Sequence, residues 1–554
     1  MIGKFTKEVG SAAKALSEVF ANPALRNLEL SWGALSVATW SFAIALSVYA
    51  FEYAGVAAVG LIALIRLAPG ALVSPLAGLF SDKKSRRTVL IASCTLVAIA
   101  LGLATAIDLA DGPAALIFVL AGLFTVASTP FLPAQAALMP QLSRTPRELA
   151  AANLVYNIMD NAGFLIGSLG TGLALALGPP GLAFGFATAA SLVSILACLG
   201  LPADHRPGYS QGVELRTLVG ETLSGFRLIA ADPALRLPGA MMALLALVEG
   251  AADVLVVITA LDFLGLTKAT VGYLNAAWGI GGLIGGAGLA IVLNRGHLIR
   301  SALVGAVILG SGIVLPAILP VAVAAYAGFL IFGAGHSFVD VASNTLLQRV
   351  GDDESLGRIR GSLESLRLGA MAIGSILVPL GVSLVGVRGT LVIAAFLLPV
   401  YLVLRSGRLR SLETGAPLDE RHFDLLRSSP IFSPLPIATL ERICHEVEEV
   451  EFGTGQPIVE EGEVGDCFYL LDQGEVEVYE GDVFKRILEP GDGFGEIALL
   501  HDVRRTATVR ATTPCLVLSL GREHFLDAVT GHSRSHETAR SVADGWLSSD
   551  PASR

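Results

Sequence analysis

Charged residues are scarce in this sequence of 554 residues. Only 16% are Asp, Glu, Lys or Arg, whereas 53% are hydrophobic, and an ordinary soluble protein carries about 25% charged residues. The scarcity is local, because residues from about Leu28 to Leu404 form long apolar runs while Glu413 to Arg554 has the composition of a soluble domain. The sequence therefore predicts a membrane body followed by a cytosolic domain.

Cysteine is also rare, and the charge is not in positive excess. The cysteines are Cys94, Cys198, Cys444, Cys467 and Cys515. Their scattered positions form neither a disulfide framework nor a metal-ligand motif. The formal net charge of −10 argues against nucleic acid as a partner. No nucleophile–base set stands out, so we expect neither an enzyme nor a bound metal.

Twelve apolar segments of roughly 20 residues are each long enough to cross a bilayer as a helix. They cover residues 28–52, 55–80, 87–109, 113–137, 149–175, 180–201, 238–261, 270–293, 299–319, 321–347, 361–385 and 388–405. Glycines at small-x-x-x-small spacing, such as Gly281 and Gly285, favour close packing of helices in lipid.

Lys and Arg concentrate in alternate loops between these segments. The positive-inside rule then places both termini and the C-terminal domain in the cytoplasm. We expect a multi-pass protein of the inner (plasma) membrane. The first 27 residues lack the short apolar run of a cleavable signal, and we expect a cytoplasmic juxtamembrane helix over residues 1–27.

An internal repeat divides the membrane body. Asn22-Pro-Ala-Leu-Arg26 recurs as Asp232-Pro-Ala-Leu-Arg236, each before a long apolar segment, and Asn22 and Asp232 are good helix N-caps. The repeat predicts two six-helix halves, residues 28–202 and 237–406, joined by a cytoplasmic loop over 203–236. A linker over 407–420 leads to a domain over 421–554.

A polar loop follows the second apolar segment. Its sequence from Gly78 to Arg87 is Gly-Leu-Phe-Ser-Asp-Lys-Lys-Ser-Arg-Arg. This loop resembles the signature of the major facilitator superfamily, and the resemblance covers residues 21–410, closest to the drug- and siderophore-exporter branch. It implies a twelve-helix transporter of a small organic molecule. The residues that it assigns to a latch on the outward-facing state are Gly78, Asp82, Lys83, Arg86 and Arg87.

The sequence departs from the superfamily pattern at three places. Ser85 replaces a glycine of the loop, and Val292 stands where the second half would carry the matching aspartate. The antiporter pattern of the fifth segment is blurred into Gly167-Ser-Leu-Gly-Thr-Gly172. The blurred pattern therefore weakens the assignment of the protein as an antiporter.

Ionisable residues inside the apolar segments are costly and mark candidate sites. The candidates for transport and coupling are Arg66, Asp160, Glu249, Asp253 and Asp340. Glu249 and Asp253 lie one helical turn apart and so share a face. Two interpretations remain open. Either Glu249, Asp253 or Asp160 carries a proton that is coupled to transport, or a carboxylate neutralises Arg66 in a structural network.

The C-terminal part changes from helical periodicity to short strands with glycine turns, which indicates a small α+β domain with a β-barrel or jelly roll. Within it, Gly493 and Gly495 let the backbone approach a ligand closely. Arg505 can close on a phosphate with a planar charged fork. Glu496 suits a sugar hydroxyl as hydrogen-bond acceptor. Together these residues predict a pocket for a sugar phosphate.

The stretch Phe494–Val509 resembles the phosphate-binding cassette of cyclic-nucleotide-binding domains, and the resemblance spans residues 421–530. It implies that Glu496 binds the ribose 2′-hydroxyl and Arg505 the cyclic phosphate, assisted by the amides of Ala498 and Leu499. The nucleotide-binding residues that it implies are Gly495, Glu496, Ile497, Ala498, Leu499, Arg505 and Thr506. Thr506 occurs in relatives that respond to either base, and of cyclic AMP and cyclic GMP we favour cyclic AMP.

The expected function is proton-coupled export of a small organic molecule, regulated by a cytosolic cyclic nucleotide. An alternative is a transport-silent membrane-anchored receptor that signals to a partner. Export of the nucleotide itself is a third option, which the weakly basic candidate cavity disfavours. The expected partners are the lipid bilayer, the substrate and the nucleotide, and the sequence leaves the oligomeric state open.

Overall fold

The structure, a computed structural model, describes residues 17, 19–83, 85–202, 226–227, 229–231, 233–293, 298–350, 353–413, 420–435 and 437–530. The chain divides into two compact units, Met1–Glu413 and Thr414–Arg554. Among the described residues the first unit is helical, and the second combines short helices with two β-sheets.

The first unit carries the long apolar helices. They are α1 Pro23–Lys83, α2 Arg86–Leu109, α3 Ala114–Ser128, α4 Phe131–Leu142, α5 Pro146–Leu177, α6 Pro180–Leu199, α7 Pro233–Ile258, a π-helix Thr259–Phe263, α8 Lys268–Leu293, α9 Leu298–Ile318, α10 Ala322–Val350 and α11 Asp353–Glu413. Asn22 caps α1 as its sequence predicts, because its side chain accepts a hydrogen bond from the Ala24 amide at 3.1 Å.

Helices α1 and α11 each contain 61 residues, far more than a hydrocarbon core of about 30 Å requires. Each is broken at a glycine with positive φ, at Gly55 (φ +70°) in α1 and at Gly386 (φ +74°) in α11. Glycine adopts this backbone conformation without steric penalty. Each long helix therefore consists of two consecutive apolar segments.

Nine stretches of the described chain are long and apolar enough to cross a membrane. Two of them contain the breaks in α1 and α11, and α8 adds a further apolar helix of 26 residues. These helices are consistent with the twelve predicted spans. Large aliphatic side chains cover the outside of the unit, with Leu72 and Leu404 each 77% exposed, as a lipid-facing surface requires.

Glycines bring neighbouring helices of the first unit into close contact. A Cβ at Gly281 would lie 1.9 Å from the Leu330 carbonyl oxygen, and one at Gly285 would lie 2.4 Å from that of Ala334. Any side chain at these positions would force α8 away from α10. The predicted small-residue spacing therefore does operate at a helix–helix contact.

The second unit begins with helices and continues as a two-sheet sandwich. Its elements are α12 Glu420–Ser428, α13 Ile437–Glu446, β1 Glu448–Phe452, β2 Pro457–Val459, β3 Cys467–Gln473, β4 Val476–Glu480, β5 Val483–Leu488, β6 Gly493–Phe494, α14 Glu496–Leu500, β7 Thr508–Ala511, β8 Cys515–Gly521 and α15 Arg522–Thr530.

All strand pairs of the sandwich are antiparallel. One sheet has the order β1-β8-β3-β6, and the other has the order β2-β7-β4-β5. Apolar side chains such as Leu471, Val476 and Val517 are buried between the sheets. A second core joins α12, α13 and α15 to the first sheet, and in it Phe468 stacks on Phe525 with ring centroids 4.9 Å apart. This packing fixes β6, α14 and β7, which carry the predicted cassette.

Candidate functional site

The second unit holds a cavity of about 530 Å³ beside α14. The turn into α14, the start of β7 and the β4–β5 hairpin form its walls. The lining residues are Val459, Val478, Glu480, Val483, Phe484, Lys485, Arg486, Phe494, Gly495, Glu496, Ile497, Ala498, Arg505, Thr506, Ala507 and Val509. Its volume lies within the range of about 300–1,000 Å³ typical of small-molecule sites.

Gly495 forms the turn that leads into α14. Its φ of +93° lies in the left-handed region, which glycine tolerates best. A Cβ at this position would also lie 2.5 Å from Nη1 of Arg505. Both the backbone conformation and the approach of the guanidinium therefore require glycine here.

Arg505 is buried at the cavity wall, with its side chain only 4% exposed. Its Nη2 donates to the Cys467 carbonyl at 2.7 Å, and its Nη1 donates to the Gly495 carbonyl at 3.1 Å. The nearest carboxylate, that of Asp466, lies 3.7 Å away and is 79% exposed. The guanidinium is thus held in place mainly by neutral carbonyl groups, and its positive charge is left for an anion in the cavity.

Glu496 begins α14 and is 2% exposed. Burial raises the pKa of its carboxyl group, while its own backbone amide and the charges of Arg486 and Arg505 oppose the increase. Burial also disfavours the charged form of Arg486 and therefore lowers the pKa of its guanidinium. A buried carboxylate close to a guanidinium is well placed to accept a hydroxyl hydrogen bond.

The structure brings most of the predicted nucleotide-binding residues to one cavity. Gly495, Glu496, Ile497, Ala498, Arg505 and Thr506 line it. Leu499 instead packs its side chain in the core beneath α14, so only its backbone amide belongs to the first turn of the helix, where N–H groups lack helical partners.

Sequence reasoning missed the charged wall that the β4–β5 hairpin supplies. Lys485 and Arg486 both line the cavity, although neighbouring residues of a regular strand point to opposite faces. The pairing explains this, because Arg486 opposes Val478 and Phe484 opposes Tyr479, leaving Lys485 as an extra residue in a β-bulge. No local sequence signal reveals such a bulge.

The first unit contains a separate cavity of about 720 Å³. Four of the five predicted transport residues line it, namely Arg66, Asp160, Glu249 and Asp340. Asp253 lies instead at a narrow adjoining space, together with Arg66. Arg367 and His336 also line the larger cavity. Residues from α1, α5, α7, α10 and α11 therefore meet at one polar site.

Both arginines of this cavity are paired. Arg66 Nη2 lies 3.5 Å from a carboxylate oxygen of Asp253. Arg367 lies 3.4 Å from Glu249 and 3.3 Å from Glu364. Asp253 is therefore the carboxylate that lies beside Arg66, and this contact is compatible with both a structural network and proton coupling.

The structure describes the side chains of only some residues of the predicted latch. The backbones of Gly78, Asp82 and Lys83 belong to α1, but the side chains of Asp82 and Lys83 lie outside the described part of the structure. Arg86 donates to the Ala137 carbonyl at 3.2 Å, and Arg87 donates to the Leu199 carbonyl at 2.8 Å. Asp232 of the repeat also lies outside the described residues.

A further buried group escaped the sequence reasoning. Glu29 on α1 is fully buried, and neither carboxylate oxygen has a hydrogen-bond partner among the described residues. It lies one turn before Trp32, which stacks on Tyr156 at 5.2 Å. Its position near the start of the first apolar segment offered a signal that the sequence analysis did not use.

Comparison with known proteins identifies two families along the chain. Residues 32–370 match the family model of the Major Facilitator Superfamily, and residues 449–532 match that of the Cyclic nucleotide-binding domain. Both are the families that the sequence motifs resemble. Neither domain type is catalytic.

The individual relatives match the second unit. A cAMP-dependent protein kinase regulatory subunit of Eremothecium gossypii is 39% identical over 103 residues, which are 18% of this chain and 22% of the relative. A cGMP-dependent protein kinase of Toxoplasma gondii is 39% identical over 124 residues, 22% of this chain and 12% of the relative. The match therefore spans less than a quarter of either relative.

One similar solved structure is the regulatory domain of Toxoplasma gondii PKA crystallised with cAMP. It is 29% identical with a TM-score of 0.21, and the match covers 23% of this chain and 49% of that one. Because the first family match covers more than half of the sequence, this multi-pass membrane protein belongs to the Major Facilitator Superfamily, and it carries a C-terminal cyclic nucleotide-binding domain.

Proposed function

We propose that this protein is a proton-coupled exporter of a small organic molecule and that cyclic AMP sets its activity by binding to the C-terminal domain. The observation that carries the regulatory part is Arg505. It is a buried guanidinium held by two backbone carbonyls at the wall of a 530 Å³ cavity. A charge in this setting favours an anion of phosphate geometry.

The remaining pocket residues fit a cyclic nucleotide. Arg505 binds the cyclic phosphate with the amides of the first turn of α14, and Glu496 accepts the ribose 2′-hydroxyl. Val459, Val478 and Val509 give the cavity an apolar wall for the base. Relatives named for cyclic AMP and for cyclic GMP both match this domain, and the resemblance to kinase regulatory subunits supports cyclic AMP as the preferred ligand.

Transport rests on the polar cavity of the first unit. Asp253 and Glu249 each face a guanidinium, at 3.5 Å and 3.4 Å. When a proton neutralises either carboxylate, the attraction that holds its arginine is lost, and the helices that carry the pair are free to separate. The loss of the ion pair on protonation would link proton binding to the change between inward-facing and outward-facing states.

Regulation requires only that the nucleotide-bound domain interacts differently with the two transport states. We propose residues 28–202 and 237–406 as the two transport halves, 407–420 as the linker and 421–554 as the regulatory domain. The distribution of Lys and Arg supports a cytoplasmic location of the domain in a protein of the inner membrane.

Reconstituted liposomes test both parts. A panel of small organic compounds is followed across the membrane under a pH gradient, with and without cyclic AMP on the side of the domain. We expect gradient-driven transport that depends on cyclic AMP, and we expect Arg505→Ala to remove only the nucleotide dependence. Asp253→Asn should abolish gradient-driven transport while substrate exchange survives.

Two outcomes contradict the proposal. Gradient-driven transport that is the same in Asp253→Asn removes that residue from coupling. Nucleotide binding without transport of any compound indicates the transport-silent receptor instead.

A further inference from the structure

The membrane cavity has more acidic than basic groups. The carboxylates at or next to it are Asp160, Glu249, Asp253, Asp340 and Glu364, and the guanidiniums are Arg66 and Arg367. An excess of negative charge in an apolar environment is unfavourable unless a cation compensates for it. The excess of carboxylates over guanidiniums means that some of these carboxylates have no guanidinium to compensate for their charge.

The basic groups are already engaged. Arg66 pairs with Asp253, and Arg367 bridges Glu249 and Glu364. His336 also lies against Glu249, with its Nε2 3.9 Å from a carboxylate oxygen. An anionic substrate would therefore find no guanidinium that lacks a carboxylate among the described residues of the cavity.

Two aspartates remain without a basic partner. Asp160 accepts a hydrogen bond from the Ser36 hydroxyl at 3.1 Å, and Asp340 accepts one from the Asn344 amide at 3.1 Å. In the described part of the chain neither has a Lys, Arg or His within ion-pair distance. Asp160 belongs to α5 of the first half and Asp340 to α10 of the second, so carboxylates from both halves line the same cavity.

Aromatic rings line the same space. Trp40, Phe164 and Trp278 all face the cavity. Their rings form a continuous edge-to-face series, with centroids 4.6 Å apart between Trp40 and Phe164 and 5.8 Å apart between Phe164 and Trp278. Aromatic faces attract cations and also bind flat apolar bodies.

We propose that the transported molecule is a small organic cation with an aromatic or apolar body. Its positive charge is compensated by Asp160 and Asp340, and its body packs against Trp40, Phe164 and Trp278. The volume of about 720 Å³ accommodates a drug-sized molecule. This inference rests on the proposed transport function and adds the chemical class of its substrate.

Tetraphenylphosphonium and tetraphenylborate test the inference, because they share a shape and carry opposite charges. Equilibrium binding of each radiolabelled ion is measured on the full-length protein in detergent, with excess unlabelled ion to define background. We expect saturable binding of the cation only. Asp160→Asn and Asp340→Asn should each weaken it about tenfold, whereas Asp262→Asn, at an exposed carboxylate outside the cavity, should leave it unchanged.

Each variant is also checked for an unchanged melting temperature in detergent and an unchanged elution volume, which report an intact membrane unit. The inference is overturned if tetraphenylborate binds as well as the cation, if neither ion binds, or if both Asn variants bind the cation like the native protein. Since binding needs no turnover, selective cation binding without transport contradicts the proposed function alone. Transport of anions only contradicts the substrate class alone.

Discussion

The two units of the protein hold the arginines of their cavities in opposite ways. In the C-terminal unit, Arg505 is held by the carbonyl groups of Gly495 and Cys467, and the carboxylate within 4 Å of it among the described residues, that of Asp466, is 79% exposed and 3.7 Å away. In the membrane unit, Arg66 and Arg367 each contact a carboxylate within 3.5 Å. The C-terminal unit therefore keeps the positive charge of Arg505 available, whereas the membrane unit neutralises the charges of Arg66 and Arg367 with its own carboxylates.

This difference between the arginines indicates which unit is suited to an anionic ligand. An arginine held by neutral dipoles retains its charge for an anion, so the anionic ligand belongs to the C-terminal unit. Arginines that are paired in an apolar surrounding are instead committed to their carboxylates, and removing one partner of such a pair is costly. Four changes, ordered from the largest expected effect, test this contrast.

Removing the partner of Arg66 should have the largest effect. Asp253→Asn leaves a buried guanidinium without its carboxylate, which costs about 3–5 kcal/mol of stability. We expect a melting temperature in detergent that is lower by several degrees, and the double variant Arg66→Gln with Asp253→Asn should recover most of the loss. A double variant that is as unstable as the single one would show that the loss does not come from an uncompensated charge on Arg66.

Removing Arg505 should weaken nucleotide binding strongly. Arg505→Ala removes charge-assisted hydrogen bonds to phosphate, and the loss is about 3 kcal/mol, or roughly a hundredfold in Kd. Calorimetry on the full-length protein measures it. Arg510→Ala, at an exposed position of β7 outside the cavity, is the matched control, and equal affinity of both variants would remove Arg505 from the site.

Replacing Glu29 should stabilise the protein. Its carboxylate is fully buried without a hydrogen-bond partner in the described structure, and an unsatisfied buried polar group costs about 1–3 kcal/mol. Glu29→Met keeps a similar volume without the polar oxygens. Thermal unfolding in detergent should show a higher melting temperature. A lower one would show that Glu29 has a partner in another transport state.

Replacing Glu496 should have the smallest effect and a distinct pH dependence. Glu496→Gln weakens the contact to the ribose hydroxyl, with an expected loss of affinity of about tenfold. The ionised carboxylate is the better acceptor, and burial raises its pKa. Native affinity should therefore decrease as the pH falls through that raised pKa, above the range of an exposed glutamate.

The control for this effect is the pH profile of Glu496→Gln, which lacks the titrating group. Its affinity should stay flat over the same pH range. A parallel decrease in both proteins would assign the pH dependence to another residue.

Local patterns in the sequence predicted the long apolar helices and the cassette well. Segments of sufficient apolar length become helices in any membrane arrangement, since backbone groups in lipid must bond within the segment. Gly495, Glu496 and Arg505 lie within eleven consecutive residues, so one turn and one short helix bring them together. In contrast, the bulge at Lys485 depends on the pairing of β4 with β5, which no local pattern encodes.

The sequence by itself determined the family, the apolar segments and the charged residues that line the two cavities. Only the tertiary structure decided how those charges are paired. Arg66 could meet any of several carboxylates, and the packing of α1 against α7 selects Asp253. That selection leaves Asp160 and Asp340 without a basic partner among the described residues, because electrostatic pairing depends on distances between helices far apart in the chain.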